Sequence, residues 1–359
     1  MKRFAAFILC LCLILCAATG CAARSYEKYT MHFYDAFDTI TQIIGYAKDE
    51  QTFAEITAQA EAEFIRLHRI FDRYNAYEGV NNLYQVNLHA AKGPVPAEPE
   101  LIELLLFCKE QQARFPGHVD VAMGAVLDIW HNYREEGTAV PTMDELTAAS
   151  AHCSMDDVVI DEDAGTVYFT DPELLLDVGS VAKGWATERV AEMLERSEMP
   201  SFLISAGGNV RAGDPPMDDR LYWGVSIQNP DDVHSNFTPA EGILDIMYFY
   251  GGSAVTSGDY QRYYEVDGVR YHHIIDPVTL MPSKYLRAVT VWTHDSGLAD
   301  FLSTTLFLMP YEEGRTLVES LDGVEAYWIL PDGSIYMTDG MQAMAYSGGA
   351  NSSEEHPLP

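Results

Sequence analysis

Three short runs, Thr256-Ser257-Gly258-Asp259-Tyr260, Tyr271-His272-His273-Ile274-Ile275-Asp276-Pro277 and Asp300-Phe301-Leu302-Ser303-Thr304, lie within residues 255–304, where the patterning changes from strand to helix. Asp267-Gly268 is a two-residue hairpin signal between aromatic and β-branched residues. Residues 286–293 read as a further strand and residues 296–309 as a helix. Strand pairs broken by helices, without regular strand–helix alternation, predict an α+β fold rather than a doubly wound sheet. The 296–309 helix is otherwise uncharged, so Asp300 needs a partner, because burying an unpaired carboxylate is very costly. Thr304 follows one helical turn later, and both oxygens can face one point. A carboxylate, a hydroxyl and the nearby His273 suggest a hard metal ion working on an anionic substrate. The blander reading of Asp300 is a helix acid paired with a Lys or Arg from elsewhere.

Working outward, the 359 residues can bury a large core, as one big domain or two intimate subdomains. The net charge of −32 disfavours nucleic acid, whose binding needs Lys and Arg against phosphate. Most simply it means a well-solvated surface, and a phosphate ligand should then arrive with a cation. Residues 1–20 read as a secretory signal: Lys2 and Arg3 precede an apolar run ending near Cys16, and Ala17-Ala18-Thr19-Gly20 leads to Cys21. Small residues before Cys21 resemble a bacterial lipobox, although Ala18 stands where Leu is commonest. That resemblance implies cleavage before Cys21 and lipidation of its sulfur. Ordinary cleavage or an uncleaved anchor are the alternatives. Cys108 and Cys153 are not spaced as a metal site and read as two buried free thiols.

Residues 21–28 form a tether, 29–345 the folded domain and 346–359 a Gly-, Ser-, Glu- and Pro-containing tail predicted to be disordered. Within the domain, residues 29–47 read as strands, 50–72 as a helix, 75–87 as a polar loop, and 97–115 and 121–130 as helices. Thr142 with Glu145 is a capping-box signal for a helix to Ser150. A hairpin turns at Asp163-Ala164-Gly165, and residues 174–178 read as a short strand. The small-residue loop 179–184 then leads into a helix to about Arg196. Residues 201–205, 222–228 and 242–250 read as strands, and a last hairpin turns at Pro331-Asp332-Gly333.

The helix start at Gly179-Ser180-Val181-Ala182-Lys183-Gly184 offers free N–H groups and a lysine, a cradle for an anion. It lacks Walker A spacing, and a tight turn with Gly184 permitting close packing accounts for it equally well. Gly207-Gly208-Asn209 lets backbone approach a ligand, or is simply a turn. His273 has the side chain most used as a general base near neutral pH. An isolated histidine is more often a core residue bonded to backbone. His272 should face the opposite side of the strand. His118 and His131 have no zinc spacing. Tyr74 could stack on a planar ring, as any core aromatic could on a neighbour.

Together these pieces resemble the ApbE family of FAD:protein FMN transferases. Phe37-Asp38-Thr39, Arg73-Tyr74 with Asn87, His118-Val119-Asp120, the run from Leu176 to Gly184, Gly207-Gly208-Asn209 and the three runs quoted first follow the family's order over about residues 30–340. The resemblance implies an ApbE-like α+β fold with mixed or antiparallel sheets and packed helices in two intimate subdomains. It implies that FAD is split at its pyrophosphate with Mg²⁺, FMN passing to a Thr or Ser hydroxyl of a partner protein and AMP leaving. Carried over, Asp300, Thr304 and the Ser180 carbonyl look like magnesium ligands. Phe37, Tyr74, His118, Val119, Asp120, Asp177, Lys183 and Ile275 look like FAD contacts, and His273 resembles the base for the acceptor hydroxyl. The expected partner is a flavinylated electron-transport subunit or FMN-binding domain, met by a lipid-anchored enzyme on the extracytoplasmic face of a bacterial membrane. This chain lacks the family partners' acceptor motif, so self-modification is not expected.

Two departures stand out. Leu280 replaces the usual Gly in Asp276-Pro277-Val278-Thr279-Leu280-Met281-Pro282, and would strain a turn that needs positive φ. Asp72 precedes Arg73-Tyr74, and Glu78-Gly79 stands near the usual Ser-Glu. FAD hydrolysis to FMN and AMP is the rival within the fold. A flavin- or solute-binding lipoprotein without turnover is the rival of another class.

Overall fold

The computed structural model describes residues 26–231 and 242–359. The signal segment, Cys21 and most of the tether lie outside the described residues. The strands are β1 (Glu27–Ala36), β2 (Thr39–Ala47), β3 (Val95–Pro96), β4 (Val158–Asp161), β5 (Thr166–Phe169), β6 (Phe202–Ala206), β7 (Asn209–Ala212), β8 (Trp223–Gln228), β9 (Ile243–Phe249), β10 (Gly252–Gly258), β11 (Tyr263–Val266), β12 (Val269–His272), β13 (Ala288–Thr293), β14 (Glu325–Ile329) and β15 (Ile335–Met337). The helices are α1 (Glu50–Phe71), α2 (Leu83–His89), α3 (Pro99–Arg114), α4 (Gly124–Glu136), α5 (Met143–Ser150), α6 (Ala182–Glu195), α7 (Ser296–Phe307), α8 (Tyr311–Glu319) and α9 (Asp339–Met344).

The centre is an eight-stranded antiparallel sheet in the order β1-β2-β6-β7-β10-β13-β14-β15. Side chains alternate across it, as a period of two requires. Val255, Val289, Val291, Ala326 and Trp328 join the larger apolar core with α1, α6 and α7. Ala254, Ala288, Trp292, Tyr327 and Ile329 face the other way, onto the β8–β9 hairpin and α9. Because both faces are covered, β13 is buried along its whole length.

Residues 72–181 sit between α1 and α6 in the chain and carry α2 to α5 and a three-stranded sheet, β3-β5-β4. Their Leu83, Leu101, Leu104, Val158 and Val167 join the same core as α6 and α7, so this flank shares its apolar interior with the sheet. A smaller cluster of Met123, Val126, Trp130, Leu146, Tyr264, Ile275 and Leu280 fastens α4 and α5 to the β11–β12 hairpin. The result is the expected α+β architecture with antiparallel sheets.

Local signals behave as their chemistry dictates. Asp49 caps α1 by accepting from Thr52 N–H at 2.8 Å, and Thr142 with Glu145 forms a reciprocal capping box on α5. Some expectations are overturned. Residues 174–178 are not a strand: a single bridge joins Leu175 to Met123, and Asn87 clasps Leu176 through both its N–H and C=O. The 75–87 loop contains the start of α2, capped by Asn82. Strand β10 was hidden among Gly and Ser, and the four-residue β7 behind the Gly207-Gly208 turn. The tail is docked, not disordered. Ser352 C=O accepts from Leu221 N–H at 2.7 Å, His356 bonds Tyr222 and Tyr248, and Leu358 packs on the second core. Composition underrated it because a few specific bonds and one apolar anchor suffice where a docking groove exists. Cys108 is a buried free thiol, whereas Cys153 is only half-buried.

Candidate active site

One cleft of about 830 Å³ opens between the sheet's helical face and the flank, and it collects the carried-over residues from distant parts of the chain. Phe37, Tyr74, His118, Val119, Asp120, Asp177, Ser180, Lys183, His273, Ile275, Asp300 and Thr304 all line it. Its volume suits a dinucleotide-sized ligand.

Helices α6 and α7 supply the charged floor. Helix α6 starts without a side-chain cap of its own. The N–H of Gly184 in its first turn instead donates to Asp300 Oδ2 at 2.8 Å, across from α7. Lys183 Nζ lies 3.8 Å from the same oxygen. A carboxylate at a helix start satisfies an orphan donor and the positive end of the dipole together. So the buried Asp300, 4% exposed, is partnered. Among the described residues its Oδ1 has no donor, and the residue lines the cleft. The close approach depends on glycine: a Cβ on Gly184 would lie 2.3 Å from Ser296 O and 2.4 Å from Asp300 Cβ. Behind this contact, buried Glu188 of α6 accepts from Arg211 of β7 at 3.1 Å and from Ser296 N–H, at the α7 start, at 2.7 Å.

The opposite wall carries His273. Strand β12 ends one residue earlier, and the alternation is as expected. His272 turns inward to Ser283 C=O at 2.7 Å, while His273 lines the cleft. His273 N–H donates to Arg262 C=O at 3.1 Å, but Nδ1 has no partner. Burial, then the charges of Arg262, His272, Arg134 and Lys183, pushes its pKa down to about 3, so the imidazole is neutral. The next turn contains Leu280 at φ +59°, the left-handed conformation that the Gly-to-Leu departure made a concern. Its side chain is buried in the flank cluster, and its C=O accepts from Trp130 Nε1 at 2.9 Å.

The flank wall is a chain of charges. Arg73 is pinned between Asp177 at 2.7 Å and Asp128 at 2.6 Å, and its guanidinium lies over Tyr74. Asp177 also accepts from Gly179 N–H, shaping the loop before α6. Asp72 accepts from Tyr74 N–H, Asn75 and Tyr77. These bonds hold its carboxyl below the usual range although burial alone would raise it. Burial lowers the pKa of His118 and raises that of Asp120. Asn87 and Asp276 are kept out of the cleft by local duties: Asn87 holds Leu176, and Asp276 accepts from Val278 N–H.

The rim on the sheet side is strained. Phe37 and Asp38 form the two-residue β1–β2 turn with φ of 55° and 50°, and Phe37 N–H donates to His68 Nδ1 at 3.2 Å. Gly207, at φ +54°, lets that turn close, because a Cβ there would meet Thr39 Oγ1 at 2.3 Å.

Sequence reasoning missed Arg134, Arg262, Gln261, His32 and His68, which also line the cleft. The only signal for Arg262 was its place two residues after Gly258-Asp259-Tyr260. Arg134 had no signal beyond its position near the end of a helix.

Among the described residues no group of three or more His, Cys, Asp or Glu could hold a metal. An ion here would therefore rest on few protein ligands and share the rest with a substrate. A carboxylate with one unpartnered oxygen, a hydroxyl and a carbonyl form a hard-oxygen set suited to Mg²⁺.

The ApbE family profile matches residues 37–328. An FAD:protein FMN transferase of Treponema pallidum is 30% identical over 344 residues, spanning 91% of this chain and 92% of that protein. One from Klebsiella pneumoniae is 28% identical, spanning 77% and 85%. Among solved structures, the ApbE protein of Thermotoga maritima superposes with a TM-score of 0.77 at 25% identity, covering 89% of this chain and 99% of that one. The flavin transferase ApbE of Vibrio cholerae shares the fold with a TM-score of 0.73 at 23% identity, covering 89% and 100%.

Proposed function

This chain belongs to the ApbE family and, like its curated relatives, is an FAD:protein FMN transferase; from that premise we propose that its cleft transfers FMN from FAD to a Thr or Ser hydroxyl of an extracytoplasmic partner protein, with Mg²⁺, and releases AMP. The observation that carries the reading is Asp300: a buried carboxylate fixed at a helix start, with one oxygen unpartnered, in a cleft whose far wall holds His273.

In this reading the acceptor oxygen forms a bond to the FMN phosphorus. The bond from that phosphorus to the bridging oxygen breaks, and AMP departs with the bridging oxygen. The acceptor proton goes to His273, since a hydroxyl is a poor nucleophile unless a positioned base takes its proton. Neutral His273 is the competent form. Its low basicity reflects burial and cationic neighbours, of which Lys183 is offset by the negative phosphates of FAD. Lys183 and the α6 start hold phosphate oxygens. Asp300, Thr304 and the Ser180 carbonyl would hold Mg²⁺, which when bound supplies charge against the pyrophosphate oxygens and orients them for in-line displacement. Phe37, Tyr74, the 118–120 segment, Asp177 and Ile275 line the room left for the rest of FAD. Cleavage before Cys21 and lipidation of its sulfur would tether the enzyme to the outer face of the membrane, where the acceptor is met.

The test is incubation with FAD, Mg²⁺ and an acceptor domain, followed by in-gel flavin fluorescence after denaturing electrophoresis. A fluorescent acceptor band is expected, lost with Asp300→Ala and slowed by His273→Ala more than FAD binding is weakened. Free FMN without a band marks a pyrophosphatase, and tight FAD binding with neither marks a binder. Full Mg²⁺-dependent transfer by Asp300→Ala would remove the metal assignment.

A further inference from the structure

The chain has 54 acidic and 22 Lys or Arg residues, so a guanidinium without a carboxylate beside it is against expectation. Arg66, Arg73, Arg211, Arg220 and Arg287 all have carboxylate partners, while Arg69 and Arg114, outside the cleft, lie over the rings of Tyr77 and Phe115. Among the described residues, two arginines of the cleft do not. Arg134, in the last turn of α4, has only the ring of His131, at 2.8 Å. Arg262, in the loop between β10 and β11, is exposed, and its side chain makes no ion pair with a described residue. They come from separate elements yet flank one group: Arg262 C=O holds His273 N–H, and the charges of both arginines act on the His273 ring.

These charges are not needed against the pyrophosphate. That role belongs to Lys183, the α6 start and the Asp300 side of the cleft, and Arg73 is saturated by Asp128 and Asp177. The His273 side is where the acceptor hydroxyl must enter. We propose that Arg134 and Arg262 form a basic lip that binds a carboxylate side chain of the acceptor protein next to the hydroxyl being modified. The inference rests on the transferase reading. A protein of net charge −32 repels an acidic partner at long range. Two uncompensated guanidiniums on the cleft wall beside His273 reverse the sign where it matters, giving orientation and partner choice more than bulk affinity. The fork of a guanidinium also fits a carboxylate in two-point contact.

The test compares wild type with Arg134→Gln, Arg262→Gln, the double variant and Arg262→Lys, in two assays. Transfer is followed against acceptor and against FAD concentration. Binding is measured with an acceptor whose target hydroxyl residue is replaced by Ala, so no chemistry intervenes. The double variant should raise the acceptor KM and Kd roughly tenfold, the loss of about one charge-assisted contact, and flatten their salt dependence. The FAD KM should stay within about twofold. Arg262→Lys should recover part of the loss, and neutralising the acceptor's own nearby carboxylate should make wild type and double variant alike. A raised FAD KM with unchanged acceptor binding overturns the proposal and assigns the arginines to the dinucleotide. Acceptor binding that depends on the arginines while no band forms would sink the transferase reading alone. Normal transfer with binding indifferent to both substitutions would sink this one alone.

Discussion

Gly184→Ala tests the link between fold and chemistry at its narrowest point. The added Cβ would stand 2.3 Å from Ser296 O and 2.4 Å from Asp300 Cβ, and both obstacles belong to α7. Ordinary contacts need about 3.5 Å, so the two helices must part by about 1 Å or the helix start must distort. Neither obstacle is the mobile end of a side chain. One is backbone, held in a helix whose start is bonded to Glu188, and the other is the first side-chain carbon of the key carboxylate. Parting by that much stretches the 2.8 Å bond from Gly184 N–H to Asp300 beyond hydrogen-bond range.

Overpacking costs about 1–3 kcal/mol, and the lost charge-assisted bond about 1.5–3 kcal/mol. Together they should lower Tm by roughly 5–10 °C in a chain of this size. Turnover should suffer more than stability implies, because displacing a reactive constellation by about 1 Å costs on the order of a hundredfold. The assays are thermal unfolding by circular dichroism and FMN transfer measured well below Tm. Gly314→Ala in α8 is the control, since its Cβ would meet nothing closer than Leu306 Cδ2 at 3.4 Å, and it should leave turnover unchanged. A folded Gly184→Ala protein with turnover within about threefold of wild type would show that Asp300 need not be held by the α6 start.

At Leu280, the left-handed backbone costs about 1–2 kcal/mol, and burial of the side chain returns about 1.5–3 kcal/mol. Leu280→Gly should therefore lose only about 1 kcal/mol, whereas Leu280→Ala, which keeps the strain and loses the packing, should lose about 2–4 kcal/mol in urea unfolding; Ala more stable than Gly would refute the strain argument. His273 gives a pH signature. Its folded pKa, about 3, lies below the unfolded value of about 6.5, so the unfolded chain binds more protons between the two. Its contribution is fully present above about pH 6.5 and lost as pH falls through about pH 3. His273→Gln should flatten the fall in Tm across that window relative to wild type, and parallel profiles would mean that the ring is not held neutral.

The sequence carried the elements with strong local chemistry. Helix α1 was legible from its apolar spacing, α5 from Thr142 and Glu145, and the β11–β12 hairpin from Asp267-Gly268. Strands β7 and β10 were not, because β10 is mostly Gly, Ser and Ala and β7 is four residues with Asn and Ala at its ends, all of weak β preference. They are strands because neighbours pair with both edges and cover both faces. Residues 174–178 read as a strand for the opposite reason. Their apolar run is buried in the core, but the backbone is bonded mainly by Asn87 and the 121–123 segment. The site residues were assembled by resemblance, not by periodicity. Spacing could put Asp300 and Thr304 on one helix face, but nothing local could bring Lys183 or His273 beside them. The glycine-mediated contact of α6 with α7 is a tertiary fact.

That contact also bears on the two readings of Asp300. Pairing with Lys183 and packing at Gly184 were the bland explanations for a buried acid and a small-residue turn, and both are present. They do not compete with a functional role, because they engage one carboxylate oxygen and leave the other. A carboxylate anchored through Oδ2 to a rigid helix start presents Oδ1 with little conformational freedom left to lose, which is what preorganisation for charge stabilisation requires. It also explains how a chain so acidic can receive a dinucleotide. The total of −32 is spread over a solvated, screened surface, whereas the field that meets the dinucleotide is set by the α6 amides and Lys183. Local charge placement, not net charge, decides which anions are admitted.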